Sequence, residues 1–148
     1  GIELGLAWEL AEPWTLFGNL AWVEGQADTF PTAASVATRE YLDRLMPLSA
    51  QAGLRWESGD GRWWSEAVAM LADKADKLSS RDLADTQRIP PGGTPGYAVL
   101  YLRGGWDVTR RLSAQAAIEN VFDSDYRIHG SGQNRPGRNF ILELTARF

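Results

Sequence analysis

The 148-residue chain has no cysteine and only one histidine, His129. Without thiols there is neither a disulfide framework nor a cysteine-based metal site. A lone histidine without a partner motif gives no nucleophile or metal constellation, so the sequence offers no support for an enzyme and implies no cofactor and no metal. Basic charge is also short: 15 Lys and Arg face 19 Asp and Glu, a formal charge of −4. A nucleic-acid partner needs a basic stripe to neutralise phosphates, so that class drops out. No run approaches the roughly 18 consecutive apolar residues of a membrane helix, but that test sees helices only. Also missing are an initiating Met, a basic leader and a cleavage site ahead of "GIELGLAWEL", which starts inside a strand pattern. The expectation is a piece of something longer.

What the chain does have is period two, the mark of strands with unlike faces. Ile2, Leu4, Leu6, Trp8 and Leu10 alternate with Glu3, Gly5, Ala7 and Glu9. The pattern recurs over 14–22, 48–57, 98–108, 112–119 and 140–148, with Phe17 and Ile141 as exceptions. A seventh segment, 62–73, carries apolar residues on both faces, so a strand and a short helix stay open there. Tight connections ("AEP", "SGDGR", "TRR") alternate with long polar ones at about 25–46, 73–96 and 123–138. Loops that long are uncommon inside compact domains. In a meander, this alternation puts the short turns on one rim and the long loops on the other. Five of the seven Trp (Trp8, Trp14, Trp56, Trp63 and Trp106) fall near short turns, where they would form an interfacial belt.

A soluble antiparallel β-sandwich or lipocalin-like ligand-binding barrel also alternates, with its apolar face turned inward. Three features favour a membrane wall instead. The strands run about nine to eleven residues, the span of a tilted crossing, against the usual five or six. The polar face holds Glu, Arg, Gln, Asp and Asn in register, as a wet or protein-filled lumen requires. The rim asymmetry with its aromatic girdle is the layout of bacterial outer-membrane barrels. The fold class expected is therefore all-β: an antiparallel up-and-down transmembrane β-barrel. This chain would be a C-terminal fragment of about seven strands, with short periplasmic turns and long extracellular loops. Single-chain bacterial barrels have even strand numbers, so the remaining strands are expected upstream. In hydrocarbon the backbone must be fully paired and the sheet must close. A final strand running to Phe148 would then be tied down rather than frayed.

Residues 90–148 resemble the C-terminal end of TonB-dependent outer-membrane receptors. The residues that carry the likeness are "IPPGGTPGY" (89–97), "ENVFDSDY" (119–126), "HGSGQNRPGRNF" (129–140) and the closing Phe148. Asn120, Val121, Phe122, Asp123 and Tyr126 match the family's cluster at the end of the penultimate strand, and Pro136, Gly137 and Arg138 match the opening of the last one. Phe140, Leu142, Leu144 and Phe148 resemble the signal read by the barrel-assembly machinery, with Ala146 departing where the family often has an aromatic. The resemblance implies a barrel of about 22 strands around a plug. It also implies a Gram-negative cell outer membrane with lipid around the wall, and uptake of ferric siderophore, haem or cobalamin driven by TonB. The whole chain, 1–148, would be the end of that barrel, with the plug, the TonB-binding segment and the first strands lying elsewhere.

Within the last long loop, His129, Arg127 and Arg135 are the candidate ligand-binding residues. His129 as a haem ligand stands against the plainer reading that "HGSG" is a turn-rich approach to the final strand. Asp73, Asp76, Asp82 and Asp85 share a loop with Lys74, Lys77 and Arg81 but lack calcium-loop spacing. A solvated, mixed-charge loop is expected there. On the polar face, Arg55, Arg103, Arg147, Glu57, Glu119 and Glu143 are candidates to face a plug or to be hydrated wall. "GSG" and "GGT" lack phosphate-loop context.

Overall fold

The computed structural model describes all residues, Gly1–Phe148. In chain order the elements are β1 (Ile2–Ala11), β2 (Trp14–Trp22), β3 (Gln26–Thr29), β4 (Thr38–Tyr41), β5 (Ser49–Glu57), β6 (Trp63–Ala72), α1 (Ser80–Ala84), β7 (Tyr97–Thr109), β8 (Leu112–Glu119) and β9 (Asn139–Ala146). Seven strands make one antiparallel sheet in the order β1-β2-β5-β6-β7-β8-β9, and β3-β4 form a separate hairpin. No sheet strand is out of sequence order, so this is a meander. The sheet is open, with β1 and β9 as unpaired edges.

Register decides which solvent each face meets. One row runs Leu16–Leu54–Ala67–Leu102–Ile118–Phe140 across six strands. The row beside it runs Thr15–Arg55–Glu66–Arg103–Ala117–Ile141. Because side chains alternate, most strands keep their apolar set on one side. That side is bare: Leu4 is 61% exposed and Leu142 is 74% exposed. On the opposite, lumenal side Val68 and Val99 are buried. A soluble globule would need Leu4, Leu54, Leu100 and Leu142 to meet in a sealed interior, and they do not. No helix is long and apolar enough to cross a membrane, which says nothing of crossing by strands.

The aromatic exceptions have local reasons. On the lumenal face a Cβ at Gly53 would lie 2.2 Å from the Phe17 ring, and one at Gly105 would lie 2.3 Å from the Trp64 ring. Each ring therefore covers a glycine on the neighbouring strand, filling space that a side chain would otherwise occupy. Trp63 and Trp106, cross-strand partners at the short-turn end, stack at 4.4 Å between centroids. Trp14 pairs with Trp56 at the same end, so these four Trp stand together on the apolar face, where their belt was expected.

Three expectations are amended. The ambiguous 62–73 segment is a regular strand whose Val68 and Met70 turn to the lumenal side, so both of its faces carry apolar groups. The first long loop contains the β3-β4 hairpin and the second contains α1, neither of which advertised itself by periodicity. β9 stops at Ala146, short of Phe148, because its partner β8 begins at Leu112 and pairs there with Ala146. Arg147 still donates its N–H to the Arg111 carbonyl at 2.8 Å, but Phe148 is fully exposed.

Candidate ligand-facing site

The three long connections, 23–48, 73–96 and 120–138, all lie at one end of the sheet. Most of the buried residues of the molecule are there: Leu45, Ser79, Asp82, Ile89, Thr94, Asn120, Tyr126 and His129.

The first and second loops are clasped by charge. "SSRD" at 79–82 is a capping box: Ser79 Oγ accepts the Asp82 N–H at 3.1 Å, and the Asp82 carboxylate accepts the Ser79 N–H. Burial of Asp82 (1% exposed) removes it from the solvated loop expected of this segment. Its carboxylate also accepts the Arg44 N–H at 3.1 Å and lies 3.6 Å from Arg44 Nε. Arg44 is held in the left-handed region (φ 57°) and pairs with Asp85 as well. That hydrogen bond holds the Asp85 carboxyl below its usual range. Further along, Ser80 N–H donates to Glu40 at 2.8 Å, Arg81 pairs with Asp43 at 3.1 Å and Lys77 pairs with Glu24 at 2.8 Å. The second loop folds back on itself through reciprocal Ala75–Thr94 main-chain bonds. Gly93 (φ 98°) is required there, because a Cβ would lie 2.1 Å from the Ala75 carbonyl oxygen.

The base of the third loop is stapled by the segment that carried the family resemblance. Asn120, at φ 50°, donates to the Ser124 and Pro136 carbonyls (2.9 and 3.2 Å) and accepts the Ser124 N–H at 2.9 Å. Asp123 accepts the Arg138 N–H at 2.7 Å, and Arg138 Nε donates to the Val121 carbonyl at 2.8 Å. A Cβ at Gly137 would lie 2.4 Å from the Asp123 carboxylate. Asn and Asp tolerate positive φ better than other side chains, which is why they can occupy this turn. Tyr126 lies on the wall, its hydroxyl 2.8 Å from that of Tyr101 and its ring 4.8 Å from Tyr97. Burial, reinforced by the bond to Tyr101, pushes its phenol up to about 12. Phe122 points away from all of this and is exposed.

Between the loops and the lumenal face lies a cavity of about 250 Å³. Its floor includes Asn19, Gln51, Met70 and Tyr97, and its loop side includes Met46 and Arg127 with His129. His129 is 8% exposed; its Nδ1 is 2.9 Å from Thr94 Oγ1, and its Nε2 has no partner in the protein. Arg127 donates Nε to Asn134 at 2.8 Å. The chemistry on offer is that of binding: donors, an imidazole, thioethers and aromatic surface, with no nucleophile–base pair and no metal-holding cluster of carboxylates and histidines.

Residues 1–121 match the family described as TonB dependent receptor-like, beta-barrel. The chain belongs to this family. Receptors of this family are transporters of the Gram-negative outer membrane and not enzymes. No curated protein sequence matches significantly. Among solved structures the chain resembles the copper transporter OprC (TM-score 0.74, 21% identity, 99% of this chain and 23% of that one). It also resembles the ferric enterobactin receptor PfeA of Pseudomonas aeruginosa (0.62, 19%, 99% and 22%). A third likeness is to the ferric-catecholate import receptor Fiu of E. coli K12 (0.63, 20%, 99% and 20%). The chain thus spans about a fifth to a quarter of the receptors it matches.

In receptor terms, the short-turn rim is periplasmic and the three loops are extracellular. Of the ligand candidates, His129 and Arg127 border the same cavity, whereas Arg135 is exposed and its N–H is tied to the Tyr126 carbonyl at 2.8 Å. His129 Nε2 is buried and has no partner in the protein. Phe140, Leu142 and Leu144 stand on the lipid face of β9 beside the exposed Phe148. On the lumenal face Glu66 is buried between Arg55 (3.1 Å) and Arg103 (2.5 Å), and Arg55 also meets Glu57 and the Trp64 ring. Arg147 keeps the lumenal parity but lies beyond the end of β9. Sequence reasoning missed Arg44 and Thr94 and left Asp82 in a solvated loop. Only Asp82 left a readable sign, the capping-box spacing from Ser79.

Proposed function

We propose that this chain, residues 1–148, is the C-terminal portion of a receptor that takes up a scarce nutrient of the ferric siderophore, haem or cobalamin class. The observation that carries this reading is the lumen-facing cavity roofed by three extracellular loops and bordered by Arg127 and His129. It lies where a ligand passing from outside to lumen must travel. The resemblance to receptors titled for copper, ferric enterobactin and ferric catecholate favours a metal or metal chelate within that range. Arg127 and Arg135 would meet the anionic groups of a chelate. A plug and the remaining strands complete the barrel, TonB energises release, and Phe140, Leu142 and Leu144 of β9 with the terminal Phe148 present the assembly signal.

Deleting the full receptor gene should abolish growth on one such nutrient as sole metal source. Restoring the gene should rescue growth only where TonB is present. Arg127→Ala should weaken binding of that nutrient about tenfold, the scale of one charge-assisted hydrogen bond. Uptake that continues unchanged without TonB overturns the reading.

A further inference from the structure

Only two buried side-chain nitrogens in the molecule lack a protein partner, Arg44 Nη1 and His129 Nε2. Arg44 packs against the residue that follows His129. A Cβ on Gly130, the residue after His129, would be 3.2 Å from Arg44 Cδ and 3.4 Å from Arg44 Nη1. They also lie at the join between a strongly held pair of loops and a weakly held third. The first and second loops share ion pairs, whereas no ion pair involves any residue of 120–138. The one side-chain hydrogen bond from the third loop to the other two is His129–Thr94. The base of the third loop is stapled at Asn120 and Arg138 and its Tyr126 rests on the wall, so what is free to swing is the stretch around His129–Gly132.

We propose that His129 is a pH-sensitive latch: neutral, it holds the third loop against Thr94, and protonated, it releases the loop and uncovers the cavity. This rests on the reading of 120–138 as an extracellular loop over a ligand path.

The physical reason is the two-sided demand of an imidazolium. A neutral ring with its N–H at Nδ1 donates to Thr94 Oγ1 and leaves only a lone pair, not a donor, unpartnered at Nε2. A protonated ring carries two N–H donors, and the second, at Nε2, would be buried without an acceptor. The charged groups around the ring pull in opposite directions. Arg44 of the first loop repels a second cation. Asp82 of α1 attracts one, but its carboxylate is already engaged by Arg44 and the Ser79 N–H. Asp85 is committed to Arg44, Arg88 packs on Gly132, Asp73 borders the same cavity, and Arg127 adds positive charge from the third loop itself. The balance lowers the His129 pKa below 6.5, with burial the largest cause. The closed loop is therefore stabilised above the open-state value of about 6.5, and that stability is lost as pH falls from there toward the lower closed-state value. Each unit between the two values multiplies the open-to-closed ratio by about ten.

Spin labels at Ser131 on the third loop and Gln87 on the second, in the full receptor in detergent, report the opening as a distance distribution. On going from about pH 7.5 to about pH 5 the ratio of long to short distances should rise severalfold, up to about thirtyfold. His129→Asn, which keeps a polar atom for Thr94 but does not titrate, should hold one distribution at both pH values. Thr94→Val should give the open distribution even at neutral pH. A wild-type distribution that ignores pH, or an Asn variant that responds like wild type, overturns the latch. No ligand and no TonB enter the measurement, so its outcome is separate from the test of uptake.

Discussion

The wall and the loop cap of this molecule obey opposite burial rules. Along the strands the large apolar groups are bare and the ladder of backbone bonds is continuous, because the solvent on that side is hydrocarbon and leaves no backbone group unpaired. In the cap polar groups are buried beside Leu45, Ala75 and Ile89: Ser79, Asp82, Thr94, Asn120 and His129 are each nine-tenths covered or more, and nearly every polar atom has a partner. The contrast shows that "apolar inside" is a statement about the surrounding medium. Where water surrounds the chain, the buried groups must be matched by specific hydrogen bonds. Where lipid surrounds it, polarity must turn inward to the lumen.

The largest expected effect tests the wall. Leu102→Arg, near the middle of β7 on the bare face, should destabilise the folded barrel in vesicles by about 2–4 kcal/mol in urea unfolding. Gln115→Arg on the lumenal face of β8 should change it by under about 1 kcal/mol. Equal losses at both sites would erase the distinction between the faces. An intermediate effect belongs to the cap. Asp82→Ala removes the carboxylate shared by Ser79 and Arg44 and should loosen the first and second loops by about 2 kcal/mol. Protease nicking within 23–48 and 73–96 should then appear while the barrel keeps its heat-resistant electrophoretic mobility. Loss of that mobility would show that wall and cap are not separable. The smallest effect is spectroscopic. Tyr126, with its phenol near 12, should ionise about two units above an exposed tyrosine, followed by absorbance at alkaline pH. Because the folded-state value is the raised one, the Tyr126 contact is fully stabilising below about pH 10 and fades as pH climbs through about 12. Tyr101→Phe should bring the titration back toward 10.

The strands were readable because period two maps directly onto pleated geometry, and every sheet strand from β1 to β9 shows it to some degree. β6 was the hardest, since Val68 and Met70 make its lumenal side apolar too. The β3-β4 hairpin was invisible because "QADT" and "TREY" present polar groups on both faces. In the cap, His129 could be singled out as a lone residue type, but its partner Thr94 lies 35 positions away. Arg44 and Asp82, 38 apart, could be joined only by the fold, and the capping-box spacing at 79–82 hinted at the helix turn without naming Arg44.

The order of residues alone determined that one side of each ribbon is oily and the other wet, and that short and long connections alternate, because both follow from neighbours a few positions apart. Which distant charges meet, and that a single imidazole is the polar tie between the last loop and its neighbours, was decided by three-dimensional packing. No local periodicity encodes the distance between loops that the sheet brings to a common rim.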